Sequence, residues 1–120
     1  LTVILTVAEM AAADATAAPE TSIGELIERA GQAVARVIME RFEVSPVLVL
    51  AGLGHNGADG YVAARVLREA GWPVRLAAIG APKGADATAA AARWGTATAA
   101  LDTAIAPGEL VIDALFGAGL

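Results

Sequence analysis

Residues 46 to 52 read Pro-Val-Leu-Val-Leu-Ala-Gly, an unbroken apolar run rich in valine and leucine. A strand with one face in water alternates apolar and polar positions, so a run that never alternates is buried on both faces, as parallel strands are. Pro46 is tolerated at the start of such a strand. A glycine-rich turn follows from Gly52 to Gly60, then a helix over about Tyr61 to Ala70, with Val62, Val66 and Ala70 on one stripe and Gly71 and Pro73 as its stop. Strand, turn and helix in this order open a βαβ unit.

The rest of the chain repeats the alternation. Val-Arg-Leu-Ala-Ala-Ile-Gly from Val74 predicts a second strand, Asp86 to Trp94 a second alanine-rich helix, and Glu109 to Gly117 the last clear strand. Thr-Ala-Thr-Ala-Ala-Leu-Asp between them reads as a short edge strand or a loop. Ahead of the first strand, two capping-box patterns predict two helices. Thr6-Val7-Ala8-Glu9 opens one that runs to about Ala18, where Pro19 ends it. Ser22-Ile23-Gly24-Glu25 opens the other, which carries Ile23, Leu26, Ile27, Ala30, Val34, Val37 and Ile38 as an apolar stripe suited to covering a sheet. The expected fold is α/β: a Rossmann-like three-layer sandwich with a mostly parallel sheet and two leading helices, one domain over residues 1–120. A start at Leu1 and a stop in the turn after a strand predict the amino-terminal portion of a domain truncated at its carboxyl end.

Composition narrows the class. Hydrophobic residues make up 57% but aromatics only 4%, so alanine-rich close packing accounts for the excess, and no apolar run approaches the ~18 residues of a membrane span. There is no cysteine, hence no disulfide framework and no thiolate chemistry. A net charge of −5 with dispersed arginines gives no stripe for nucleic acid. A cytoplasmic protein with neither nucleic-acid nor membrane partners is expected.

Gly52, Gly54 and Gly57 spell the G-x-G-x-x-G of dinucleotide-binding turns, in which a pyrophosphate sits on a helix amino end and an acid about 20 residues on bonds the ribose. Here the end of the second strand is Ala77-Ala78-Ile79-Gly80, without an acid, and the nearest cation is Lys83. Ala58, Asp59 and Gly60 also lengthen the loop, and Asp59 would set a negative charge near a diphosphate. An oxidoreductase of the ordinary kind is therefore disfavoured. Individually the residues have plain explanations: positive φ or close packing for the glycines, an N-cap for Asp59, a left-handed turn for Asn56, an exposed loop position for His55. Asp113 is different, because it interrupts an apolar strand near its carboxyl end, where an unpaired carboxylate is costly and calls for a cation or several donors. In open α/β sheets the carboxyl ends of the strands form the ligand crevice, so the two glycine-rich acidic turns can converge on one site.

Together these residues resemble the NAD(P)H-hydrate epimerases, the YjeF N-terminal domain family. The family pattern G-x-G-N-N-G-G-D-G and V-A-A-R is matched by Gly52 to Gly60 and Val62 to Arg65, and D-A-L-F-G-T-G-L by Asp113 to Leu120. The resemblance implies interconversion of the two epimers of hydrated NADH or NADPH, so that a stereospecific dehydratase, separate or fused as an ADP- or ATP-dependent domain, can restore the coenzyme. It implies that His55, Asn56, Gly57, Ala58, Asp59, Gly117, Ala118, Gly119 and Leu120 contact the substrate. It further implies that Asn56 and Asp113 help hold a potassium ion, a hard cation that takes oxygen ligands, and that a homodimer can form. The catalytic base stays unassigned, with Asp59 the candidate within this chain and a V-D-x-P-S-G aspartate downstream of it in the family. Two departures stand out: His55 replaces the first Asn of the pattern and Ala58 a Gly, adding a methyl where backbone approaches ligand or takes positive φ. The same domain also serves as a scaffold or partner-binding module, which is the alternative function.

Overall fold

The structure is a computed structural model in which residues 3–6, 22–95, 99–100 and 104–115 are described. Four parallel strands, β1 (Val3–Thr6), β2 (Val47–Ala51), β3 (Val74–Ala78) and β4 (Leu110–Ala114), form one sheet in the order β1-β4-β2-β3. Among the described residues three helices accompany it: α1 (Ile23–Arg41), α2 (His55–Glu69) and α3 (Ala85–Trp94). The parallel α/β architecture expected from the alternating runs is present. The described helices form one layer, with α2 on the sheet and α1 and α3 on either flank of α2. A second helical layer, as a three-layer sandwich requires, falls outside the described residues.

Pleating divides each strand between two faces. Val47, Val49 and Ala51 of β2, Leu76 of β3, and Leu110, Ile112 and Ala114 of β4 join the helices in the core. Leu48, Ala77 and Val111 point the other way and are equally buried. Burial on both faces is why these strands carry no polar alternation.

The amino-terminal part departs from expectation. Thr6, expected to cap a helix, is the last residue of β1, which pairs with β4 from Val3↔Leu110 to Thr6↔Asp113. Four residues make too short a run to announce a strand without its partner. The first expected helix otherwise falls on residues outside the description. Helix α1 starts as expected, with the Ser22 hydroxyl accepting from the Glu25 N–H at 3.2 Å. Its stripe packs closely on α2, within the core that α2 shares with the sheet. Ile27, Gly31, Val34 and Ile38 are buried, whereas Ile23 and Leu26 stay 50% and 39% exposed. Gly31 permits that contact: a Cβ there would lie 2.4 Å from Val62.

The segment of uncertain character after α3 does reach the sheet at one described residue. Ala99 bridges Ala77 in parallel and its N–H donates to the Leu76 carbonyl at 2.7 Å, extending the sheet beyond β3. The return to β4 is pinned by the Arg75 guanidinium, which donates to both carboxylate oxygens of Glu109 at 2.8 and 2.7 Å. This bond holds the Glu109 carboxyl below its ordinary range.

Candidate active site at the switch point of the sheet

From β2 the chain crosses to β3 on one side, and β4 then enters on the opposite side of β2. The strand order therefore reverses between β2 and β4, and their carboxyl ends leave a crevice there. Both glycine-rich motifs begin at that point. The Gly52 N–H donates to the Ala114 carbonyl at 2.9 Å, so a backbone bond joins the starts of the two turns.

The first turn is tighter than its glycines suggest. Only Gly52, Leu53 and Gly54 separate β2 from α2, which starts at His55 and not near Tyr61, with Gly54 as an N-cap that has no side-chain hydrogen bond. The turn is thus short enough for a phosphate-type turn, although the acid that would bond a ribose is missing. None of Gly52, Gly54, Gly57 and Gly60 has positive φ. Their role is close approach: a Cβ on Gly52 would lie 2.0 Å from the Leu115 carbonyl oxygen, one on Gly57 2.0 Å from the Gly52 oxygen, and one on Gly60 2.7 Å from the Ala114 Cβ. Glycines that disfavour a helix by propensity are what let α2 settle on the ends of β2 and β4.

The first intrahelical bond of α2 runs from the Ala58 N–H to the Gly54 carbonyl at 3.0 Å, and no acid stands in the first turn. The positive end of the helix dipole therefore opens onto the rim. His55 is exposed there and Asn56 half-buried beside it. Ala58 points inward, fully buried in the core and without positive φ, so its methyl packs within the fold and strains no backbone. This corrects the expectation that the extra methyl meets a positive φ. Ala58→Gly should instead destabilise the fold by about 1 to 2 kcal/mol, from helix propensity and the lost methyl burial, while His55→Asn on the exposed rim stays within about 0.5 kcal/mol. Urea midpoints of the two variants decide it; an unchanged midpoint for Ala58→Gly refutes the packing role.

Asp59 is not the N-cap. It lies one turn inside α2, half-buried, and its carboxylate makes no hydrogen bond or ion pair among the described residues. Desolvation pushes its pKa up to about 7. Asp113 behaves otherwise. It is half-buried at the end of β4, in register with Leu50 and Thr6, and its Oδ1 accepts the Leu115 N–H at 3.1 Å. One carboxylate oxygen thus shapes the turn and the other has no partner among the described residues. Gly117, Ala118, Gly119 and Leu120, the remaining expected contacts, lie outside the described residues.

One part of the pattern has another duty. Arg65, which closes Val-Ala-Ala-Arg, is buried and bonds Glu28 of α1, and Arg93 of α3 reaches the same carboxylate at 3.5 Å. It ties the helical layer together and does not face the rim. A groove of about 390 Å³ bordered by Glu28, Arg65, Asp86 and Arg93 lies over that cluster, away from the switch point. The loop after β3 is a wall that the sequence did not reveal as part of the site. Its Ile79 N–H donates to the Ala51 carbonyl at 3.1 Å and its Lys83 N–H to the Leu53 carbonyl at 2.8 Å.

Known proteins are similar to this chain in sequence and in fold. The chain is 40% identical over 110 residues to a Rhodobacter capsulatus protein named NAD(P)H-hydrate epimerase, covering 80% of this chain and 52% of that one. It is 51% identical over 59 residues to a Pyrobaculum aerophilum protein named bifunctional NAD(P)H-hydrate repair enzyme Nnr, covering 48% of this chain and 12% of that one. The fold is similar to the crystal structure of yeast ynu0, with a TM-score of 0.72 at 21% identity over 98% of this chain and 58% of that one. The chain thus spans about half the length of the Rhodobacter relative. The family described as YjeF-related protein N-terminus matches residues 23–120, and the chain belongs to it.

Proposed function

We propose that the protein containing this chain interconverts the epimers of hydrated NADH and NADPH. The observation that carries this reading is the meeting of two glycine-rich acidic turns at the switch point, joined by the Gly52 to Ala114 bond. The names of the relatives support it. Inverting a carbinolamine carbon means breaking and remaking a bond to it, by loss of hydroxide or by ring opening, and either route needs a proton delivered and removed. Asp59, with its pKa near 7, is a group of this chain that can do both at neutral pH. The helix amino end, with His55 and Asn56, orients the substrate. The bifunctional relatives favour a dehydratase acting on the product, fused or separate. Chiral chromatography of the hydrates with and without the intact protein tests the activity; a folded protein that leaves the exchange rate unchanged promotes the scaffold alternative.

A monovalent cation suits the same rim. The side-chain oxygens at this rim belong to the Asp113 carboxylate and the Asn56 carboxamide, and no group of three His, Cys, Asp or Glu forms a polydentate site among the described residues. Potassium, as a hard ion, would offset the Asp113 charge beside the substrate. Asp113→Ala should then abolish the potassium dependence of hydrate binding while leaving the fold intact. Calorimetry in potassium and in a bulky organic-cation buffer checks this; equal wild-type affinity in both leaves Asp113 as a turn-forming acceptor only.

A further inference from the structure

We propose that Lys83 binds phosphate oxygens of the hydrated coenzyme, from a loop that the fold clamps against the turn between β2 and α2. This deepens the function proposed above and rests on it. The loop from Ile79 to Gly84 ends β3 at the same rim as Gly52 and Asp113, because β2, β3 and β4 are parallel neighbours. Two backbone bonds hold it there: Ile79 N–H to Ala51 carbonyl, and Lys83 N–H to Leu53 carbonyl at 2.8 Å. Between them Gly80 lies against Leu53, with an ideal Cβ 3.3 Å from its Cδ2. Lys83 therefore projects from a fixed backbone beside the turn that opens α2.

The charges at the rim need it. A hydrated dinucleotide carries a diphosphate, and the rim presents it with Asp113 and, one turn into α2, with Asp59. Across Gly52 to Asn56, Ile79 to Gly84 and Asp113 to Leu115, Lys83 is the one lysine or arginine. Its ammonium is exposed and makes no ion pair or hydrogen bond among the described residues. Arg65, Arg68, Arg75 and Arg93 are all engaged elsewhere. Asp86, the nearest acid in sequence, lies against Gly24 of α1, with Oδ1 3.3 Å from an ideal Cβ there. A lysine on a flexible stem meets phosphate as a point charge, which suits an open rim better than a bidentate clamp.

The test is calorimetry of the intact protein with NADH hydrate and NADPH hydrate for wild type, Lys83→Ala and Lys83→Arg. Lys83→Ala should weaken binding about tenfold, the effect of one charge-assisted hydrogen bond, and flatten its salt dependence. Lys83→Arg, which keeps the charge, should recover most of the affinity. Equal loss on both hydrates assigns the contact to the diphosphate; loss on NADPH hydrate alone assigns it to the 2′-phosphate. Wild-type affinity of Lys83→Ala for both overturns the proposal. A wild type that neither binds nor epimerises either hydrate removes the function on which it rests, a failure seen before any variant is made.

Discussion

Gly52→Ala and Gly57→Ala are expected to destroy the rim, while Gly54→Ala in the same motif folds normally. A Cβ at either of the first two positions falls 2.0 Å from a carbonyl oxygen, of Leu115 or of Gly52, and backbone cannot swing aside as a side-chain tip can. Relief requires α2 to lift from β2, or the β4 turn from Gly52, breaking the bond that joins the two motifs. Overpacking typically costs about 1 to 3 kcal/mol where side chains can adjust; against rigid backbone at a strand end the cost should be at least about 3 kcal/mol. Gly54 has open space around its Cβ and φ of −96°, so Ala there meets no clash and loses only a slightly better N-cap. Urea unfolding and epimerisation rates of the three variants check this. Native stability in Gly52→Ala would show that the turns do not meet as described.

Asp59→Asn should stabilise the protein at neutral pH and disable the proposed chemistry. In the unfolded chain the carboxyl titrates near 3.8; in the folded chain burial raises it to about 7. A raised acid pKa means that the folded state holds its proton more tightly, so between these values the native protein binds a proton that the unfolded chain has lost. Stability from this group is therefore greatest below 3.8, falls as pH rises through the window and levels off above 7. Three pH units correspond to about 4 kcal/mol at most, and solvent at a half-buried site reduces it. Asparagine cannot ionise. Hence the variant should match wild type near pH 4 and exceed it by as much as a few kcal/mol at pH 8. Epimerisation should fall by about 10²-fold if Asp59 manages the proton. Denaturation midpoints at pH 4, 6 and 8 give the comparison, and parallel profiles for the two proteins would place Asp59 in water.

An unexplained carboxylate at this position fits the way sites are built. Desolvation without a partner weakens the fold at working pH, and such groups persist where a reaction uses the shifted proton affinity. Arg75 and Glu109 show the opposite arrangement at the far end of the sheet. There burial comes with a bidentate partner, and the Glu109 carboxyl is held low instead of high.

Local sequence alone determined where β2, β3 and β4 and most helix ends lie. Val47–Ala51 and Leu110–Ala114 are apolar at nearly every position because both faces are covered, Ser22 bonds the first turn of α1, and Gly95 ends α3 in the left-handed conformation. The pairing of two acidic glycine-rich motifs was legible too, and with it the family. Tertiary structure decided the rest. Gly57 and Gly60 argue against helix by propensity, and only the carbonyl of Gly52 and the methyl of Ala114 explain why α2 runs through them. Whether Ala58 faces ligand or core, whether Asp59 caps or hides, and which stripe of α1 meets α2 depend on that docking. So does β1, whose four residues become a strand by pairing with β4, more than a hundred positions away. Hydrophobic period and capping chemistry act between neighbours in sequence, whereas strand order, close backbone approach and desolvation are set by segments that meet only when the chain has folded.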